Sequence, residues 1–100
     1  MRNLEKTGIK PAVIDEIKAF AQVYGIQRVI LFGSRARGDY HRASDIDLAV
    51  EGGRITDFII EVKDSTSTLL DFDVVDLANT QPGKFLESIK REGITLYEKI

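Results

Sequence analysis

Glycine, basic and acidic residues that could bind a phosphate or a metal are concentrated in two short stretches, residues 33–38 and 44–48. The first reads Gly-Ser-Arg-Ala-Arg-Gly and the second Ser-Asp-Ile-Asp-Leu. Residues two apart in a strand share a face, so Asp45 and Asp47 project together while Ile46 faces the other way. Two parallel carboxylates repel each other, and a divalent cation such as Mg²⁺ removes that repulsion. The pair therefore indicates either a metal site or two solvated aspartates on an exposed strand.

The glycine–serine pair directly after the stretch 28–32, which is apolar from Val29 onward, could contact a phosphate group. We expect Ser34 to cap a short helix, whose exposed N–H groups would bind an anion, and Gly33 to let a phosphate approach the backbone closely. Arg35 and Arg37 add positive charge beside this pair, and their spacing does not say which of them points at the ligand. We expect Arg37 to contact a phosphate or to support the fold, with a surface salt bridge as the alternative. The Walker P-loop pattern is missing, since its lysine and its spacing between glycines are absent. For the Gly-Ser pair alone, an ordinary turn into a surface helix is the competing interpretation.

A third carboxylate comes from Asp73, within a separate predicted strand at 70–77 where apolar and acidic residues alternate. If that strand neighbours the strand with the aspartate pair, three carboxylates converge beside the glycine–serine pair. Such an arrangement can hold two cations about 3.5–4 Å apart. Asp71 has the same parity but lies nearer the start of the strand. Asp76 has the opposite parity and is expected to cap or pair at the strand's exit.

Alternating helices and strands must position these groups. Apolar residues at helical spacing predict helices from Pro11 to Tyr24, from Ile55 to Leu69 and from Pro82 onward. Continuous or alternating apolar runs predict strands at 28–32, 45–50, 70–77 and 94–97. This order predicts one α/β (α+β) domain over residues 1–100, with a small mixed sheet and helices packed on it.

Composition excludes several classes of function. With no cysteine and a single histidine, His41, the chain can form neither a disulfide framework nor a thiolate or multi-histidine zinc site. Lys and Arg number 14 against 16 Asp and Glu, so general duplex DNA binding is not expected. No apolar run approaches the roughly 20 residues of a membrane span, and the N-terminus lacks the apolar centre of a signal peptide. We therefore expect a cytoplasmic protein with no membrane association.

The compound pattern resembles the signature of the DNA polymerase beta-like nucleotidyltransferases. Its three parts, Gly33–Gly38, Ser44–Leu48 and Phe72–Val75, occur in this order with a predicted helix between the second and the third. More narrowly, the chain is similar to the minimal nucleotidyltransferase (MNT) proteins of prokaryotes, over nearly its whole length and including Glu92–Glu98. The resemblance implies the palm-like nucleotidyltransferase core of polymerase beta.

The resemblance also implies a role for each site residue. Gly33 and Ser34 would hold the β- and γ-phosphates of a nucleoside triphosphate. Asp45 and Asp47 would ligate two Mg²⁺ ions, and Asp73 would complete the metal site or accept the proton of the attacking hydroxyl. The reaction implied is transfer of a nucleoside monophosphate with release of pyrophosphate.

A separate acceptor-binding domain, which larger relatives carry, has no room in about 100 residues of catalytic core. We expect a second protein, or a second copy in a homo-oligomer, to supply acceptor specificity. The resemblance implies a helical HEPN toxin as partner, with this chain as the antitoxin that transfers AMP from ATP to a tyrosine of the toxin. The alternatives are a non-catalytic antitoxin that occludes its HEPN partner, and a catalytic subunit that acts on RNA or a small molecule.

Overall fold

The computed structural model describes residues 4–100, with the side chain of Glu5 left out; residues 1–3 of the predicted domain lie outside the described residues. The helices are α1 (Pro11–Val23), α2 (Gly33–Arg37), α3 (Ile55–Ser65) and α4 (Lys84–Glu92), with short 3₁₀ turns at Leu4–Thr7 and Leu77–Asn79. The strands are β1 (Arg28–Phe32), β2 (Ile46–Glu51), β3 (Phe72–Asp76) and β4 (Ile94–Glu98).

The four strands form one mixed sheet in the order β3-β2-β1-β4. Strand β1 runs antiparallel to both β2 and β4, whereas β2 and β3 are parallel. Helix α3 is the crossover between the parallel pair, since parallel neighbours cannot be joined by a tight turn. The predicted α+β class and the mixed sheet are confirmed.

One face of the sheet carries the main hydrophobic core. Helices α1 and α3 pack on this face, and fully buried side chains of both layers meet there, among them Ile17, Leu31, Leu48 and Phe58. None of the described helices is both long and apolar enough to span a membrane.

The opposite face is only partly covered. Helix α4 packs on it through a smaller cluster made of Ile30, Phe32, Ala49 and Ile89. Since side chains alternate along each strand, this is the face to which Asp47 and Asp73 belong. The fold therefore buries one face of the sheet and leaves part of the other open beside the acidic residues.

Several element bounds differ from the sequence prediction by a single residue, and larger differences occur in α3, β3 and α4. Helix α3 ends at Ser65 because Thr66 adopts an extended backbone and its hydroxyl donates to the carbonyl of Val62. Strand β3 is correspondingly shorter than 70–77. Helix α4 begins at Lys84 rather than at Pro82, because Gly83 takes a backbone conformation, φ +154°, that lies outside the helical range.

Candidate active site

Strands β2 and β3 place Asp47 and Asp73 side by side on the open face of the sheet. The two residues are register partners in the parallel pair, where neighbouring strands lie about 4.8 Å apart. Asp45 directly precedes β2, has the same parity as Asp47 and is exposed. Strands β2 and β3 are thus neighbours, which is the condition that the sequence set for convergence of the carboxylates, and Asp45, Asp47 and Asp73 belong to the same end of the sheet.

Asp47 is the least exposed of these three carboxylates. Its side chain is partly buried, and this burial, together with the negative charges of Asp73 and Asp45, raises its pKa above the ordinary value of 3.8. The positive charges of Arg37 and Arg35 oppose the rise. The charged form of Asp47 is therefore disfavoured in the protein alone, and an added cation would stabilise it.

The described residues contain no complete metal site built by the protein alone, since no group of three or more histidine, aspartate or glutamate side chains is placed so that it could hold a metal ion. Mg²⁺ does not need one, because it retains several waters and takes substrate phosphates beside one or two carboxylates. Such an ion would reduce the repulsion between Asp47 and the negative charges of Asp73 and Asp45.

Gly33 brings the chain against the carboxylate of Asp47. Its φ is +75°, a left-handed conformation that favours glycine, and a Cβ at this position would overlap the Asp47 Oδ2 atom. Phe32, which precedes Gly33, is the register partner of Asp47 across β1 and β2. The start of α2 and the centre of the acidic group are therefore in direct contact.

Ser34 is not the cap that the sequence predicted. Helix α2 begins at Gly33, with Phe32 in the capping position, because the left-handed glycine makes the turn without a side-chain cap. Ser34 is the second residue of the helix, and its hydroxyl makes no hydrogen bond to another described residue. The hydroxyl remains available for a ligand beside Asp47.

Arg37 lies on the surface, in the ion-pair arrangement that the sequence left as an alternative. Its guanidinium contacts Asp39 at 3.3 Å and Glu92 at 3.5 Å, and nearly half of the side chain is exposed. The pair with Glu92 links α2 to α4. The charge of Arg37 also reaches Asp47, where it lowers the pKa.

Arg35 points the opposite way and is 2% exposed. Its guanidinium donates to three backbone carbonyls, those of Thr7 (2.9 Å), Arg42 (3.2 Å) and Ser44 (3.0 Å). It also lies 4.7 Å from the ring centre of Tyr40. Arg35 thereby holds the loop that leads into β2. The sequence could not distinguish this role from that of Arg37, since both arginines follow the same serine within one helical turn.

Asp76 and His41 lie where their sequence positions indicated. Asp76 caps the 3₁₀ turn by accepting a hydrogen bond from the N–H of Ala78 at 3.0 Å. His41 is exposed in the loop before β2. Asp71 lies closer to the site than the sequence suggested, since its carbonyl accepts from the N–H of Ile46 and so places it level with the start of β2.

Comparison with known proteins agrees with this geometry. Residues 15–100 match the family described as Polymerase beta, Nucleotidyltransferase, and the match includes both halves of the site. The chain belongs to this nucleotidyltransferase family. Within the family's sequence range lie β1 to β4, α2 and all three clustered aspartates.

Individual members of the nucleotidyltransferase family and related solved structures are also similar. The protein named Putative protein adenylyltransferase MJ0604, from Methanocaldococcus jannaschii, is 46% identical over 50 residues, which are 50% of this chain and 48% of that protein. This match therefore spans about half the length of the relative. A solved toxin-antitoxin with AMP-PNP is 25% identical, with a TM-score of 0.67, over 86% of this chain and 73% of that one. A solved mutant of the toxin-antitoxin MntA-HpeT has the same fold, at 24% identity and a TM-score of 0.66, over the same shares of the two chains.

Proposed function

We propose that this nucleotidyltransferase transfers AMP from ATP to a hydroxyl of a partner protein, a HEPN-type toxin, and thereby acts as its antitoxin in the cytoplasm. The observation that carries the proposal is the register pairing of Asp47 with Asp73, with Gly33 packed against Asp47. The names of the similar proteins, an adenylyltransferase and a toxin-antitoxin with AMP-PNP, support the donor and the class of partner.

The start of α2 would receive the phosphates. Gly33 has no side chain to obstruct an anion, and the Ser34 hydroxyl beside it can donate a hydrogen bond to a phosphate oxygen. Arg37 supplies a positive charge at the other end of the same short helix. Its two carboxylate partners are at the surface, so it can move toward a bound triphosphate at little cost.

The aspartates would hold magnesium. Asp45 and Asp47 supply carboxylate oxygens from one strand, and Asp73 supplies a third carboxylate from the neighbouring strand. Bound Mg²⁺ would neutralise the charge of the phosphates and lower the pKa of the attacking hydroxyl. A cation held by these carboxylates would offset the repulsion that disfavours the charged form of Asp47.

The transfer is a substitution at the α-phosphorus of ATP. The oxygen of the acceptor hydroxyl forms a bond to that phosphorus, and the bond to the oxygen that bridges the α- and β-phosphates breaks. Pyrophosphate leaves with the electron pair of that bond. The hydroxyl proton passes to Asp73, whose carboxylate is exposed on the edge strand and can be reached by an incoming acceptor.

The position of β3 supports a macromolecule as the acceptor. This strand is at the edge of the sheet, and no described element packs beyond it in the sheet. A hydroxyl on a protein surface could therefore approach Asp73 from the side without entering a deep pocket. This access favours a partner protein over a small enclosed substrate.

The direct test incubates the purified protein with Mg²⁺, each of the four α-³²P-labelled nucleoside triphosphates in turn, and the protein encoded by the adjacent reading frame. We expect label from ATP on the partner, and no label when EDTA replaces Mg²⁺. Label from γ-³²P-labelled ATP is not expected, because the γ-phosphate departs in pyrophosphate.

Two other outcomes would overturn the proposal in different ways. A stable complex that neutralises the partner without labelling it would indicate a binding antitoxin that acts by occlusion. Label on added RNA or on a small molecule, and none on the partner, would indicate a nucleotidyltransferase with a different acceptor.

A further inference from the structure

Phe85 is a large apolar side chain that remains 49% exposed. It lies on the face of the sheet to which Asp47 and Asp73 belong. The described residues include four other exposed large hydrophobic side chains, namely Val23, Ile60, Leu69 and Ile100. Val23 and Ile60 belong to the helices on the opposite face, and the other two lie in a loop and at the C-terminus. Phe85, in the first turn of α4, is thus the exposed ring nearest the site.

A single residue connects Phe85 to the aspartates. The rings of Phe85 and Phe32 meet edge to face, with their centres 5.6 Å apart. Phe32 is directly opposite Asp47 across β1 and β2, and it immediately precedes Gly33. Opposite residues in an antiparallel pair share a face, with Cβ atoms about 4.5–5.5 Å apart. The exposed ring is therefore linked to the position of Asp47 through one residue, Phe32.

Tyr40, the aromatic residue of the loop that leads into β2, is already engaged. The ring of Tyr40 lies under the guanidinium of Arg35, and a Cβ at Gly8 would overlap that ring, so Tyr40 is packed into the fold. Tyr24, on the far side of the sheet, donates its hydroxyl to Glu61. Phe85 is the ring that keeps substantial free surface close to Asp47.

We propose that Phe85 is the platform on which the base of the bound nucleoside triphosphate stacks, an inference that rests on the proposed function. An aromatic ring beside a phosphate and metal site matches the two ends of a nucleotide, one flat and apolar and the other anionic. A stacking platform without polar side chains holds any base by its face. We therefore expect it to add affinity for nucleotides over bare polyphosphate, with purines favoured over pyrimidines for their larger face.

The test compares dissociation constants for ATP and for tripolyphosphate, both with Mg²⁺, in the wild type and in Phe85→Ala and Phe85→Leu variants. Loss of a base–aromatic stack should weaken ATP binding roughly 5- to 150-fold and leave tripolyphosphate binding unchanged. Phe85→Leu retains apolar bulk without a ring face, so it should lose most of the same affinity. Ile60→Ala is the matched control, because Ile60 is similarly exposed but lies on the opposite face.

A second measurement does not depend on losing a side chain. The sequence contains no tryptophan, so Phe85→Trp introduces a single tryptophan at the proposed platform, and its emission can be excited apart from that of the three tyrosines. Its emission should be quenched by Mg²⁺-ATP and not by Mg²⁺-tripolyphosphate, and this variant should retain the affinity of the wild type for ATP. Ile60→Trp should respond to neither ligand.

The outcomes separate this inference from the proposed function. If the wild type binds ATP, two results would contradict the role of Phe85 as a platform. One is an unchanged ATP affinity in Phe85→Ala, and the other is an equal loss of affinity for ATP and for tripolyphosphate. Unchanged ATP affinity with weakened binding of the toxin would assign Phe85 to the partner surface instead. Failure of the wild type to bind either ligand would overturn the proposed function, and the platform with it.

Discussion

The carboxylate of Asp47 occupies the space into which a side chain at residue 33 would project, so Gly33 and Asp47 act as one structural unit. The left-handed backbone of Gly33 turns the chain from β1 into α2, and the same residue leaves room for the aspartate. One glycine thus satisfies a backbone requirement and a packing requirement. The two can be separated experimentally, because Gly25 has a similar φ of +67° with no atom near its missing Cβ.

We predict that Gly33→Ala and Gly25→Ala differ sharply in activity. Both variants place alanine in a left-handed conformation, which costs roughly 1–2 kcal/mol of stability. Only Gly33→Ala also displaces Asp47, and a shift of about 1 Å at a reacting group can lower the rate about 100-fold. Urea unfolding and AMP-transfer rates, measured where both variants are folded, test this. Equal activities in the two variants would show that the contact with Asp47 does not matter.

Arg35 and Arg37 should differ in their contribution to stability, and we expect the buried Arg35 to contribute more than the exposed Arg37. Arg35→Met would leave three carbonyls without donors, and we expect a loss of about 2–4 kcal/mol in the free energy of unfolding. Arg37→Met removes exposed ion pairs and should cost less than about 1 kcal/mol. Urea unfolding of both variants measures the difference. A small effect of Arg35→Met would contradict its role in holding the loop before β2.

Asp47 should make the metal-free protein less stable as the pH rises. Its pKa in the folded state is raised, so the folded state holds the proton more tightly than the unfolded state does. The resulting stability is fully present below about pH 3.8 and is lost as the pH rises through the raised pKa. In EDTA, Asp47→Asn should therefore gain stability relative to the wild type with increasing pH. Thermal unfolding across pH 3.5–7, with exposed Asp64→Asn as control, measures the trend.

Asp47 should also make the melting temperature of the protein depend on the concentration of magnesium. Mg²⁺ that binds only the folded state raises the melting temperature, by an amount that depends on its concentration relative to the dissociation constant. We expect this rise in the wild type at pH 7 and a much smaller one in Asp47→Asn. An equal rise in both proteins would mean that the ion does not bind at Asp47.

Much of the fold could be predicted from the sequence because its patterns are strong. The stretch 28–32, apolar from Val29 onward, predicted β1, and the alternation after Leu70 predicted β3. The parity of Asp45 and Asp47 placed both aspartates on the face away from the core. The sequence left open which strand lies beside β2. Strand order depends on long-range packing, which no local pattern encodes. The structure shows that β3 is this neighbour and that Asp47 pairs with Asp73.

The site was predicted in its residue types but not in its local geometry. Parity rules apply to strands, so they could not tell which arginine of the short helix α2 turns inward to the carbonyls. The sequence also set Asp71 aside, although the hydrogen bond from Ile46 brings its backbone level with the start of β2. In each case the deciding contacts join residues that belong to different elements.

Intact-protein mass spectrometry of the partner is the most direct test of the central claim, that the Asp47–Asp73 pair catalyses nucleotide transfer. The partner is incubated with ATP, Mg²⁺ and wild-type protein, Asp47→Asn or Asp64→Asn, the last as a charge-matched control on α3. We predict that the wild type and Asp64→Asn add the mass of AMP to the partner, and that Asp47→Asn does so at least about 100-fold more slowly. Addition at the same rate by Asp47→Asn would contradict the account.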